Sequence, residues 1–202
     1  MSEQSDEYYS IEAPAEGIFK DQKSRFLAFA YPVESEAEVK ALLEKARRDY
    51  HDARHHCLAY RIGHDGAVWR ASDDGEPSGT AGRPILGQID SAGLSDVAVI
   101  VVRYFGGIKL GVPGLIAAYR EATRDALQNA VKVRKVAGRW YRLAYDYSQM
   151  PDVMKIVKEM ALPQREQSFS QECSLQVRVR LSSEADFLEK IKNLSNFKYE
   201  II

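Results

Sequence analysis

VAVIVVRYFGGIKLGVPGLIAAYREA, residues 97–122, passes from an unbroken apolar run through a glycine-rich stretch into an alanine-rich helical pattern. The run from Val97 to Val102 is mostly β-branched and does not alternate with polar residues. It therefore reads as a central strand covered on both faces, spanning Ser95 to Tyr104. The segment from Phe105 to Gly114 reads as a loop. A helix then begins near Gly114 or Leu115 and continues to about Ala130, with Leu115, Ala118, Ala122, Ala126 and Leu127 on or near one side. Glycines at this density cost backbone entropy, so each needs a local reason such as positive φ or close approach of another group. A glycine loop that opens into a helix also presents unpaired N–H groups, which suit anions.

A second glycine-rich stretch, DDGEPSGTAGRPIL at residues 73–86, precedes it. Pro84 is placed as a first helical residue. Ile85, Leu86 and Ile89 form a short helix that stops by Gly93.

Upstream, Met1 to about Glu12 carries little to bury, and residues 1–16 are expected to be a flexible N-terminus. Between Gly17 and Val33, Phe26, Ala28 and Ala30 alternate with Leu27, Phe29 and Tyr31, a strand covered on two sides. Lys20, Lys23, Ser24 and Arg25 precede it as a small basic group. Ser35 with Glu38 forms a capping box for a helix carrying Val39, Leu42, Leu43 and Ala46 inward, with Arg47 and Arg48 near its end. HDARHHCLAYRIG, HDG and AVWRAS read as a strand, a tight Asp65-Gly66 turn and a second strand. His55, Cys57 and Ala59 share one face of the first strand, and His56, Leu58 and Tyr60 the other.

Around Val131 to Gly138 the text turns basic and short of helix signals, which places a domain boundary there. Beyond it, WYRLAYDY reads as a strand and Pro151 opens a helix. Two strands follow, at residues 163–170 and 174–181. Ser183 with Asp186 then caps a second helix, and FKYEII ends as a strand. The order βαββαβ is that of the ferredoxin-like split unit. The organisation is thus α+β, with domains at residues 17–135 and 139–202.

The chain has 202 residues, a formal charge of −1, 45% hydrophobic and 28% charged residues. That describes an ordinary globular protein and gives no global electrostatic case for binding a polyanion, so any such role needs a local patch. Cys57 and Cys173 form no CxxC pair and read as reduced thiols. The acidic, polar start lacks a signal pattern, and no apolar run approaches the ~20 residues of a membrane span. The expected location is the cytoplasm, with no membrane partner.

The cluster His51, Asp52, His55, His56 and Cys57 invites a metal reading. His51 and His55 would align only on a helix, and His55 and Cys57 only on a strand, so both cannot hold at His55. No metal or cofactor is expected. Cys57 beside His55 or His56 has the composition of a nucleophile and base, without a third group to orient them. Ser78 and Thr80 lie outside any GxSxG elbow. Asp73, Asp74 and Glu76 have oxygen ligands but not the spacing of an EF-hand loop, and Asp-Gly and Glu-Pro turns account for them. No catalytic residue is assigned.

The second glycine loop is neither GxGxxG nor GxxxxGK[ST]. Arg103 and Lys109 either contact phosphate or are ordinary solvated charges. Gly106, Gly107, Gly111 and Gly114 either shape an anion site or only let the helix approach the sheet. The candidate binding residues are Arg54, His55 and Cys57 near the hairpin, Asp73, Asp74, Glu76, Ser78, Thr80 and Arg83 in the first loop, and these six of the second. Both loops are expected to converge on one concave patch at the helix mouth.

SDDGEPSGTAGRPIL and VVRYFGGIKLGVPGLIAAYREA together resemble the signature of the IMPACT/YigZ family. The likeness extends to SRF at residues 24–26 and ARHHCLAYRIG at residues 53–63. This resemblance implies an N-terminal domain like the second domain of ribosomal protein S5. It also implies a C-terminal domain like the last domain of elongation factor G. The implied context is translational control, although eukaryotic members carry an additional RWD domain for which this chain has no room.

The leading expectation is a non-enzymatic protein that binds RNA or a ribosomal surface and is linked to regulation of translation, with a translation-related protein as a further possible partner. The alternatives are a small-molecule or nucleotide-binding enzyme using the glycine loop as a phosphate site, and a protein-interaction module.

Overall fold

A computed structural model describes residues 6–169, 172–192, 194 and 197–202. The chain divides into two compact units, one of Tyr8–Lys135 and one that includes Glu7 and Val136–Ile202. The strand expected over residues 163–170 ends at Phe169, and its remainder lies outside the described residues.

The first unit contains β1 (Glu7–Ile11, whose first residue belongs to the second unit), β2 (Ala15–Asp21), β3 (Ser24–Pro32), α1 (Glu36–Asp49), β4 (His55–Ile62), β5 (Val68–Ser72), α2 (Gly82–Ser91), β6 (Val97–Tyr104), α3 (Gly111–Asn129) and β7 (Lys132–Val136, whose last residue belongs to the second unit). An antiparallel five-stranded sheet runs in the order β2-β3-β6-β4-β5. The β-branched run thus lies at the centre, as its lack of alternation requires. Its odd and even positions feed two separate cores. Val97, Val99 and Val101 join Phe26, Ala28, Cys57 and Ala59 beneath α2 and α3. Ala98, Ile100 and Val102 join Phe29, Leu58 and Tyr60 beneath α1. Every residue from Val97 to Val102 is 0% exposed, the burial that removes the need for polar alternation.

Several elements depart from the sequence reading. The segment from Gly17 to Val33, read as one strand, is the hairpin of β2 and β3, turning at Gln22 and Lys23, both with positive φ. The stretch read as a boundary holds β7, and Pro84 is the third residue of α2 rather than its first. Glu7–Ile11, inside the segment expected to be a flexible terminus, forms a strand paired with β7, and Ile11 is buried. A short run with one internal apolar face carries little sequence signal, and its partner lies over a hundred residues away. Helix α3 begins at Gly111 rather than near Gly114, with Pro113 inside its first turn, where a missing N–H costs no helical bond.

The second unit holds β8 (Gly138–Asp146), α4 (Met150–Glu159), β9 (Gln164–Phe169), β10 (Glu172–Arg180), α5 (Glu184–Lys192) and β11 (Lys198–Ile201). Its antiparallel sheet has the order β11-β8-β10-β9. Tyr141, Leu143 and Tyr145 alternate onto the face covered by Val153 and Val157 of α4 and Phe187 and Ile191 of α5. The β-strand and α-helix content of both units makes the chain α+β. No helix among the described residues is long and apolar enough to cross a membrane.

Candidate anion-binding cleft

The parity of β6 decides the site. Arg103 continues the Val97, Val99, Val101 series, so the first charged residue after the apolar run points to the α2 and α3 side of the sheet. Its register partners are Phe26 on β3 and His55 on β4. Phe26, Arg103 and His55 therefore form one cross-strand row at an end of the sheet. The Arg103 guanidinium lies 5.4 Å from the Phe26 ring centroid and 5.6 Å from that of Phe105.

Arg103 is 7% exposed, and its Nη1 donates to Glu76 Oε1 at 2.5 Å. Glu76 Oε1 also accepts from the Tyr119 hydroxyl at 2.8 Å, which ties the first glycine loop to α3. The Arg103 Nε is buried and has no hydrogen-bond partner among the described residues. An unmet buried donor costs about 1–3 kcal/mol, which an acceptor admitted at that point would recover.

Asp73 builds the first loop. Its carboxylate accepts from the backbone N–H groups of Gly79 at 2.8 Å, Ala81 at 3.0 Å and Gly82 at 2.8 Å. It thereby caps α2, which has no side-chain cap of its own. Burial pushes its carboxyl upward, but the three N–H donors and nearby Arg83 outweigh that and hold it below the ordinary range. Asp74 accepts from the His56 N–H at 2.7 Å and from Arg47 at 2.8 Å. Its carbonyl oxygen lies 2.9 Å from His55 Nδ1. A carbonyl only accepts, so Nδ1 carries a proton and Nε2 is the ring nitrogen left for other contacts.

Cys57 is fully buried, with its Sγ 3.0 Å from the Asp73 carbonyl and 3.3 Å from the Tyr119 hydroxyl, either of which can take its single proton. Burial pushes the thiol far above its usual range, so it is not a ready nucleophile. Burial likewise raises the Tyr119 phenol, and neighbouring Cys57 and Glu76 add to the shift. No grouping of three or more His, Cys, Asp or Glu side chains able to hold a metal occurs among the described residues.

In the second loop the backbone of Gly106 lies against the turn between β2 and β3. A Cβ there would stand 2.1 Å from the Lys23 carbonyl carbon. Gly111 has φ +71°, the left-handed turn through which the chain enters α3. Gly107 remains in the loop and Gly114 falls inside the helix. Helix α3 has no side-chain cap hydrogen bond at its N-terminus and no acidic residue in its first turn. The N–H groups at that end are thus left for another acceptor.

These pieces enclose a cleft of about 440 Å³ lined by Arg54, His55, Glu76, Pro77, Arg103, Phe105, Lys109, Leu110, Gly111, Val112 and Leu115. Both glycine-rich loops contribute to it. Of the candidate residues, Arg54, His55, Glu76, Arg103, Lys109 and Gly111 meet there. Cys57, Asp73 and Asp74 lie behind it as supports, as does Thr80, whose hydroxyl donates to the Pro77 carbonyl at 2.7 Å. Ser78 and Arg83 are exposed and, like Gly106, Gly107 and Gly114, do not line it. The sequence reading missed the apolar wall. Phe105 and Val112, both 52% exposed, were open to notice as large apolar residues inside a glycine loop. It also missed Tyr119, which falls on the α3 stripe one residue after Ala118.

Arg54, Arg103 and Lys109 line the cleft with one carboxylate, Glu76, so its lining carries an excess of two positive charges. Such a lining suits an anion with an apolar part attached.

A family model described as the Impact N-terminal domain matches residues 22–127, which includes both loops and the cleft. The chain is 32% identical to the IMPACT family member YvyE of Bacillus subtilis over 96% of its length and 89% of that protein. It is 31% identical to YigZ of Escherichia coli, with 94% of each covered. The IMPACT homolog of Saccharomyces cerevisiae is 36% identical over 54% of this chain and 43% of its own length. A crystal structure described as that of a hypothetical protein superposes with a TM-score of 0.73 at 30% identity, covering 97% of both chains. Matched over half its length by the domain model and nearly end to end by bacterial members, the chain belongs to the IMPACT family.

Proposed function

We propose that the chain is a non-enzymatic cytoplasmic protein that binds RNA, free or on a ribosomal surface, and takes part in regulation of translation. The observation that carries this reading is the buried Arg103, with an unpartnered Nε, beside the uncapped start of α3. Lys109 and Arg54 extend the positive surface outward, where phosphates of a longer strand would meet them. The sheet order β11-β8-β10-β9, with two helices on one face, supports a ferredoxin-like C-terminal domain resembling the last domain of elongation factor G. The likeness of the first unit to the second domain of ribosomal protein S5 rests on the family resemblance.

The test is an anisotropy titration with structured RNA at low and moderate salt. Binding should weaken as salt rises, and Lys109→Ala and Arg54→Ala should each lower both the affinity and its salt dependence. Absence of binding at low salt, or indifference to both substitutions, refutes the reading. A second reading, a small-molecule site of the kind a nucleotide-using enzyme has, draws on the enclosed size of the cleft. A thermal shift with ATP and Mg²⁺ but none with RNA would favour it.

A further inference from the structure

Building on the RNA reading above, we infer that the cleft takes the phosphorylated end of a single strand, a terminal phosphomonoester with its nucleotide, rather than a phosphate within the chain. Charge favours the end. An internal phosphodiester carries one negative charge, whereas a phosphomonoester carries about −1.5 to −2 at neutral pH. The lining offers Arg54, Arg103 and Lys109 against Glu76 alone, which matches the doubly charged group.

Burial points the same way. The unmet donor belongs to Arg103, a side chain 7% exposed that also lines the cleft. A phosphate flanked by two sugars is held away from such a buried donor, while a terminal one has only a single substituent to keep outside. The first-turn backbone of α3 at Gly111 and Val112 lines the same cleft and has no capping side chain, so its N–H groups supply donors for the remaining oxygens.

The rest of the lining suits one nucleotide. A volume of about 440 Å³ lies near the lower end of small-ligand sites, ~300–1,000 Å³, and leaves no room for a duplex. Phe105, half-exposed at the rim, offers a face on which a base stacks. With His55 Nδ1 committed to the Asp74 carbonyl, Nε2 is the ring nitrogen left for a polar contact with the ribose.

The experiment uses the full chain and short single-stranded RNAs labelled at the end opposite the one varied, each with a terminal phosphate or a terminal hydroxyl. One phosphorylated end should bind at least about tenfold more tightly than its hydroxyl counterpart, a difference of about 1.4 kcal/mol. AMP should compete and adenosine should not. Phe105→Ala and Lys109→Ala, both at exposed positions, should abolish the end preference while circular dichroism stays unchanged. Equal affinity for both ends, with Lys109→Ala weakening all strands alike, overturns the end-recognition inference and leaves the RNA reading standing. AMP binding that is lost in Phe105→Ala, with no strand bound at any salt, overturns both the RNA reading and the end-of-strand inference and points to a mononucleotide site instead. Failure of AMP and every strand to bind overturns both.

Discussion

Replacing Glu76 by glutamine tests the floor of the cleft directly. The substitution preserves shape and an acceptor oxygen for Tyr119, and it removes only the charge opposite Arg103. That pair is 2.5 Å apart, with side chains 7% and 4% exposed, so little solvent is available to replace the lost carboxylate. Removing one partner of a buried ion pair costs about 3–5 kcal/mol. Retention of a neutral hydrogen bond brings the expected loss to about 3 kcal/mol. With a urea dependence of about 2 kcal/mol per molar, the midpoint of the Tyr8–Lys135 unit should fall by about 1.5 M. Circular dichroism follows the transition, and a Trp140→Phe background leaves Trp69 to report this unit alone. Adding Arg103→Met should return much of the loss, because the stranded guanidinium is then gone. Inorganic phosphate at constant ionic strength should raise the midpoint of Glu76→Gln more than that of the parent chain. A Glu76→Gln midpoint within about 0.3 M of the parent value would refute the claim that this pair holds the floor.

Gly106→Ala should destabilise the first unit by more than about 2 kcal/mol, read as a lower melting temperature, since the new Cβ meets Lys23 backbone that cannot swing aside. Asp73→Ala strands three backbone donors and should loosen the first loop, seen as faster amide exchange at Gly79, Ala81 and Gly82. Asp6 is held down to about 2 by Arg180 and Ser182. Because its folded value lies below the unfolded one, its contribution is complete above about pH 4 and fades as pH falls toward 2. The shift corresponds to about 2.5 kcal/mol at most, reduced to about 1 kcal/mol because Arg180 is half-exposed. Asp6→Asn should remove that part of the acid sensitivity in pH-dependent melting. Cys57 and Cys173, both buried, should resist iodoacetamide at pH 8 in the native chain and react once urea unfolds it, as counted by mass spectrometry.

Much of this architecture was written in local patterns. The alternation at Phe26, Ala28 and Ala30 against Leu27, Phe29 and Tyr31 separates the two cores, and the uniform apolar run from Val97 to Val102 marks the strand that serves both. Ser35 accepts from the Glu38 N–H at 3.3 Å, as their spacing requires, although Glu38 reaches back to the Glu34 N–H. The site was only half legible, because its chemistry depends on pairings across long stretches of chain. Nothing near Glu76 announces Arg103, 27 residues on, or Tyr119, 43 residues on. Asp73 read as a turn former, yet its carboxylate caps a helix that starts nine residues later. Such partners emerge only when the sheet register brings them together.

Because Arg103 occupies a rung of the sheet between Phe26 and His55, the orientation of its guanidinium is tied to interstrand alignment. Sliding β6 by a single residue would turn that charge toward α1 and leave Val102 or Tyr104 in its place. Variation in the surrounding loops would then alter what enters the mouth while the base stays put.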